Sequence, residues 1–149
     1  PRGVMCNLFI DPETGVDVRG HSYMVFDDQK AASASFANGN FYQANYQIWG
    51  SKGIIELERA YSVPPDFSTT INVHSSQQNN WHSQQKDVFQ ISPTNHFSIM
   101  IDVFCKEIMG IKSANYNFED DLLNQAKVME AHRLSNKENR FVNLSEIPT

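Results

Sequence analysis

Asp17 and His21 are spaced as D-x-x-x-H. On a helix that spacing puts a carboxylate and an imidazole on one face, the arrangement of a general acid and the group that orients it. The residues around them alternate as a strand does, and four residues along a strand span roughly 13 Å, too far for one side chain to orient the other. The pair therefore reads as a turn-closing Asp17 and a strand His21. Five histidines, at 21, 74, 82, 96 and 132, contain neither HxH nor HExxH, so no metal site is expected. No GxGxxG or GxxxxGK[ST] is present, and Gly50-Ser51-Lys52-Gly53, lying between two predicted strands, reads as a hairpin turn rather than a phosphate loop. A Ser-His-Asp triad is open on composition, but no GxSxG elbow marks a nucleophile. The residues themselves name no catalytic group.

The elements that would position any site divide in two. From Val4 to about Ile91 the chain shows short alternating runs separated by turn residues, which predict strands near 4 to 10, 17 to 26, 30 to 37, 41 to 49 and 54 to 59. Weaker strands are expected at 69 to 74 and 87 to 91, on either side of the polar run 75 to 80, which should be a mobile loop without a site. Pro64-Pro65-Asp66 excludes a ladder locally and predicts a loop. After Ser92-Pro93 the period becomes helical: Phe97, Ile101, Phe104 and Ile108 share a face, and Gly110 ends the run. A second helix opens at Asn117 with Glu119, Asp120 and Asp121 in its first turn, and Leu122, Leu123, Ala126 and Met129 form its expected buried face. Phe141 to Leu144 could close the sheet as a short strand.

Strands first and helices last predict an α+β domain: one open-faced, mostly antiparallel sheet with the two C-terminal helices packed on one face. In the fourth strand, alternation points Tyr42, Ala44, Tyr46 and Ile48 one way and Phe41, Gln43, Asn45, Gln47 and Trp49 the other. A face mixing amides with large aromatics suits a protein interface or a ligand surface, so Gln43, Asn45, Gln47 and Trp49 are the expected interface between copies of the chain.

The 149 residues suit a single core. Hydrophobic residues at 40% and charged residues at 19% exclude a disordered or fibrous chain. Twelve basic residues against seventeen acidic ones give a net charge of -5 with no basic stripe, so nucleic acid is not an expected partner. The most apolar stretch, Phe97 to Ile111, is interrupted by Asp102, Lys106 and Glu107, and no membrane span or signal peptide is visible. Cys6 and Cys105 are far apart and unclustered, which predicts two buried thiols in a reducing cytoplasm, a disulfide being the alternative. The chain starts at Pro1 and runs almost at once into apolar sequence, as a piece of a longer protein would.

The stretch Thr14-Gly15-Val16-Asp17, the run Tyr42 to Trp49, the Gly50-Ser51-Lys52-Gly53 hairpin and Ile54 to Ala60 resemble the C-terminal half of the Gfo/Idh/MocA oxidoreductases. The order of elements is also similar: a meander, a Gly-x-x-Gly hairpin, a Pro-rich loop, a helix start at Asn95-His96-Phe97 and a last helix opening with Phe118-Glu119-Asp120. The resemblance covers nearly the whole chain and implies that residues 1 to 149 form a single substrate and oligomerisation domain. The N-terminal Rossmann domain that binds NAD or NADP would be absent from this stretch. Neither the family's Glu-Lys-Pro segment nor its helical Asp-x-x-x-His segment is matched, so no catalytic role passes to Asp17 or His21. Tyr42 matches a substrate-facing tyrosine of inositol dehydrogenase-like members. The implied function is sugar or sugar-derivative binding within an NAD(P)-dependent oxidoreductase, silent by itself and binding no cofactor alone. The implied partners are its own Rossmann domain, a sugar-like small molecule and further copies in a dimer or tetramer. Arg59, whose fork could hold a carboxylate or phosphate, is the second expected substrate contact. The alternative is a free-standing interaction or carbohydrate-binding module that kept the sheet and lost the chemistry.

Overall fold

The computed structural model describes residues 1–76, 84–111 and 117–148. The chain divides into two compact units, one built from Pro1–Asn40 and Tyr116–Thr149, the other from Phe41–Asn115. Each carries one four-stranded antiparallel sheet, so the expected α+β class is met with the strands shared between two sheets.

In the first unit the strands β1 (Gly3–Ile10), β2 (Asp17–Val25), β3 (Ala31–Ala37) and β8 (Val142–Asn143) lie in the order β3-β2-β1-β8. Asp11 shapes the turn between β1 and β2: its carboxylate accepts from the Thr14 hydroxyl at 2.6 Å and from the Glu13 amide at 3.2 Å. The Thr14 bond and then the Glu13 bond hold the Asp11 carboxyl below its ordinary range. Alternation places Val4, Cys6, Met24 and Val142 on one face. The helix α2 (Phe118–Glu138) packs there, and Val4, Ala131, Val142 and Ile147 form the core with Met24, Leu134 and Leu144 against them. The register puts Gly20 on the same face, where a Cβ would run into the Phe36 ring and the Leu8 side chain.

The helix α2 starts where expected, with the Asn117 side chain accepting from the Asp120 amide, and ends at Asn139 in the left-handed conformation (φ 51°). Its buried contact differs from the expected one. Leu122, Leu123 and Met129 are exposed, Leu122 at 70%, while Ala131 and Ser135 are buried. Small side chains allow the close approach that polar contacts between α2 and β1 require. Ser135 Oγ accepts from the Cys6 amide at 2.9 Å and donates to the Arg140 carbonyl at 2.6 Å, and Asn136 Oδ1 accepts from the Leu8 amide at 2.7 Å. One turn earlier, His132 Nδ1 lies 2.6 Å from the Val128 carbonyl and so carries the proton, which leaves Nε2 to accept from the Ser22 hydroxyl at 2.6 Å. Cys6 is buried, and desolvation, with Asp17 adding to it, pushes its thiol up. Cys105 is exposed, which corrects the expectation of two buried thiols; both cysteines are free.

In the second unit β4 (Tyr46–Gly50), β5 (Gly53–Leu57), β6 (Thr69–Ser76) and β7 (Gln84–Ile91) form a meander in chain order. Gly53 closes the β4–β5 hairpin because a Cβ there would strike the His74 carbonyl of β6. The register puts Tyr46, Ile48, Ile55, Leu57, Ile71, Val73 and Phe89 on one face, and Gln47, Trp49, Ile54, Glu56, Asn72 and His74 on the other. Strand β4 begins five residues later than the alternation predicts, because β5 ends at Leu57 opposite Tyr46 and leaves 41 to 45 without a ladder partner. The helix α1 (His96–Ile108) is capped by Asn95, whose side chain accepts from the Ser98 amide at 3.1 Å, and Gly110 takes the left-handed turn (φ 71°) after it. No residue of α1 is buried. The two expected helices fall one in each unit, with α2 packed on the first sheet. The loop expected at 75 to 80 falls from 77 onward outside the described residues, as does His82.

Ser135→Ala should lower unfolding free energy by about 1–3 kcal/mol, since it strands the buried Cys6 amide and takes a donor from the half-buried Arg140 carbonyl. Urea titration measures this, and an unchanged midpoint would show that the hydroxyl is dispensable. A second expectation concerns acid. Glu146 accepts from Arg140 (Nη2 to Oε2, 2.8 Å) and from the Asn143 amide (2.8 Å), and these bonds, Arg140 first, lower its pKa from 4.5 to about 2. A depressed folded pKa gives stability that is present above about 4.5 and lost as pH falls toward 2. Glu146→Gln should therefore flatten the fall of melting temperature across that window, and an unaltered acid limb would remove this pair from the account.

Candidate functional site

Two irregular segments and two strand ends of the second unit converge on one cavity of about 530 Å³. Phe41, Tyr42, Gln43 and Asn45 come from the segment before β4, Glu58 and Arg59 from just after β5, Phe67 from the loop before β6 and Thr70 from its first turn of ladder. A parallel bridge joins Ala44 to Arg59, with the Ala60 amide donating to the Ala44 carbonyl at 2.7 Å. Phe67 is set by the Pro64-Pro65-Asp66 turn, in which its amide donates to the Pro64 carbonyl at 3.0 Å.

Arg59 is the centre of this arrangement. Its guanidinium carbon lies 5.4 Å from the Tyr42 ring centroid and 5.3 Å from that of Phe67. Each ring face attracts the cation by about 0.5–1 kcal/mol at such a partly exposed place. Nη2 donates to the Ser62 carbonyl at 3.2 Å, while Nε is buried without a hydrogen-bond partner. No carboxylate pairs with Arg59 among the described residues; Glu58 lines the same cavity. The site thus offers flat apolar faces, a cation with a spare donor, the amides of Gln43 and Asn45 and the hydroxyls of Tyr42 and Thr70. These are the groups that hold a polyol ring or an oxyanion, and the Glu58 carboxylate lines the same cavity.

The structure brings Tyr42 and Arg59 together, 17 residues apart in sequence, and adds Gln43 and Asn45 to the same cavity. Gln47 and Trp49 are elsewhere, on the polar face of β4. Gln47 donates to Glu56 Oε1 at 2.6 Å, His74 Nε2 lies 3.2 Å from Glu56 Oε2, Asn72 is buried beside them, and Trp49 is 83% exposed. The four residues expected on one strand face therefore divide into two pairs, because the ladder that enforces alternation starts only at Tyr46. His21 bonds Ser35 at 3.0 Å, as a strand histidine would, and not Asp17. Phe67 was not foreseen; the only signal for it is its place three residues after Pro64. Among the described residues no three His, Cys, Asp or Glu side chains gather as a metal site, and no helix is long and apolar enough to cross a membrane.

No protein-family profile matches the sequence. A dTDP-3,4-didehydro-2,6-dideoxy-alpha-D-glucose 3-reductase of Saccharopolyspora spinosa is 28% identical over 61 residues, which are 41% of this chain and 18% of that protein. The structure of KijD10, a 3-ketoreductase from Actinomadura kijaniata in complex with NADP and TDP-benzene, superposes with a TM-score of 0.75 at 20% identity, covering 89% of this chain and 38% of that one. A putative oxidoreductase from Bacillus subtilis, yvaA, gives a TM-score of 0.68 at 13% identity over 96% of this chain and 45% of its own. The chain has the fold found in these oxidoreductases, as the sequence resemblance implied, and it spans less than half the length of the solved proteins it matches and about a fifth of the curated one.

Proposed function

We propose that this chain is the substrate-binding and oligomerisation domain of an NAD(P)-dependent reductase or dehydrogenase acting on a sugar or sugar derivative. The observation that carries the reading is the convergence of Tyr42 and Arg59 with Phe67 on one cavity, in a fold shared with a reductase that binds NADP. In this reading a Rossmann domain of the same polypeptide binds NAD or NADP and supplies the catalytic acid, in the cytoplasm, while this chain holds the substrate. Tyr42 covers one face of the ring and its hydroxyl bonds a ring substituent; Arg59, held by the rings of Tyr42 and Phe67, meets the polar or charged end. The curated relative acts on a dTDP-linked keto sugar, which favours a sugar derivative of that kind over a plain polyol. The polar face bearing Gln47 and Trp49 joins copies of the chain, since a large exposed indole beside amides is better covered by a partner than by water.

In the intact enzyme, Tyr42→Phe should lower kcat/KM by about 0.5–1.5 kcal/mol, the size of one lost hydrogen bond, and leave the melting temperature nearly unchanged because Tyr42 is 59% exposed. A fall in stability without a kinetic effect would make Tyr42 a packing residue and sink the site. Sugar binding that persists with no turnover in any form of the protein would favour the free-standing module instead. The double change Gln47→Lys and Trp49→Lys should reduce the mass measured by light scattering, and an unchanged mass would remove this face from the interface.

A further inference from the structure

A second cavity, of about 470 Å³, lies on the other side of Phe67, which lines both it and the cavity at Arg59. All lining residues of both belong to the unit Phe41–Asn115. The second cavity is walled by the segment after β5, the first residue of β6, the last of β7 and the first of α1, with Tyr61, Thr69, Ile91, Thr94 and His96 among its lining. Two of its rings are held from behind. Tyr46 meets Tyr61 edge-on with centroids 6.5 Å apart, and the His96 ring lies 4.3 Å from that of Phe97. The walls therefore combine flat aromatic and apolar surface with a few hydrogen-bonding groups, from Thr69, Thr94 and His96, which is the lining that small planar ligands find.

Arg59 connects the two cavities. Its guanidinium lines the first, and Nη2 donates at 3.2 Å to the carbonyl of Ser62, which lines the second. Ser62 holds the left-handed conformation (φ 50°), which is uncommon for a residue other than glycine and persists where the surroundings over-determine it. Among the described residues that bond is the only one made by a side chain with five N–H donors, and Nε is buried with none. The cation has lost water on one side without gaining an anion. A phosphate oxygen would answer it in the forked geometry that a guanidinium offers. Size points the same way: cavities of about 300–1,000 Å³ hold whole drug-sized ligands, so a lone sugar ring would underfill the first and leave the second without a role.

The geometry points to a substrate of three parts, a sugar joined through a phosphate or diphosphate to a flat heteroaromatic ring, with the second cavity as the subsite for that ring. This rests on the sugar-oxidoreductase reading and adds a binding site to it. The sugar lies in the first cavity, where Gln43, Asn45 and the Glu58 carboxylate bond its hydroxyls and Tyr42 covers a face. The phosphate meets Arg59, turned there by the charge of Glu58. The heteroaromatic ring enters the second cavity against Tyr61 and Phe67, with its polar edge toward Thr69, Thr94 and His96. Phe67 thus serves twice, as a face for the cation and as a wall of the ring subsite.

Calorimetric titration of the full chain with thymidine diphosphate, inorganic diphosphate and glucose 1-phosphate tests the division. Thymidine diphosphate should bind at least tenfold more tightly than either of the others, because it alone carries both ring and anion. Arg59→Gln should weaken thymidine diphosphate and glucose 1-phosphate at least tenfold each. Thr94→Trp, which fills the second cavity with an indole, should weaken thymidine diphosphate at least tenfold and leave glucose 1-phosphate within twofold. If circular dichroism shows that the indole disturbs the fold, Tyr61→Leu replaces it and should weaken thymidine diphosphate alone, at least fivefold. Thymidine diphosphate binding no tighter than glucose 1-phosphate, or a folded second-cavity variant that weakens both ligands equally or neither, overturns the ring subsite and leaves the sugar-binding reading standing. Glucose 1-phosphate binding that ignores Arg59→Gln overturns the anion contact, and no binding of any probe overturns the proposal together with that reading.

Discussion

The first unit rests on one demand: the outward amides of β1 must find acceptors after β8 has run out. A strand of two residues, Val142–Asn143, can answer only the start of β1. The remainder is answered by side chains of α2, Ser135 to Cys6 and Asn136 to Leu8, and the reach of a serine hydroxyl is short. Helix and strand must therefore approach closely, which selects Ala131 and Ser135 for the buried positions and lets Val4, Val142 and Ile147 meet around them. Hydrophobic burial supplies the driving force, at roughly 25 cal/mol per Å². The two polar contacts decide where along the helix that burial happens, since an unanswered buried amide costs about 1–3 kcal/mol.

In the second unit the comparable constraint is a cation without a counter-ion. Arg59 is held by a backbone bridge, one carbonyl and two aromatic faces, with no carboxylate bound to it among the described residues. A guanidinium is weakly hydrated and planar, so stacking between rings stabilises it in a way that would not suit a lysine. Stacking also leaves its edge donors free, and one of them, Nε, is buried and unpaired. An arginine so placed is shaped and oriented before any ligand arrives, which reduces the ordering cost that binding would otherwise carry.

Local chemistry is what the sequence made readable. The cap at Asn117, the turn at Asp11, the hairpin glycines and seven of the eight strands among the described residues lie where turn residues and alternation place them, within a few residues, while α1 begins at Asn95 as the family resemblance implied, beyond the Ser92-Pro93 signal. Readings that depended on a distant partner moved. Alternation continues from Trp49 back to Phe41, but a strand lasts only as long as its neighbour, and β5 stops opposite Tyr46. Leu122 and Leu123 carry the apolar signal of α2, yet contact is made through an alanine and a serine whose value comes from smallness, which has no periodic signature. At the cavity, Tyr42 and Arg59 were legible from resemblance and side-chain chemistry, whereas Phe67 sits in a proline loop where periodicity says nothing.

The apolar groups that neither unit buries complete the argument. Helix α1 has an Asp102–Lys106 ion pair at 2.6 Å on one side, while Phe97, Ile101 and Ile108 stay more than half exposed on another. Tyr46, Ile48 and Phe89 share a sheet face and are each more than 40% exposed. Scattered exposed apolar residues need no explanation, but a helix face and a sheet face of this kind are contiguous, and contiguous apolar surface is where proteins meet partners. In the proposed function such surfaces face a cofactor-binding domain and further copies of the chain. The cavity at Arg59 lies in the same unit as α1 and that sheet face, formed by the segments next to β4, β5 and β6.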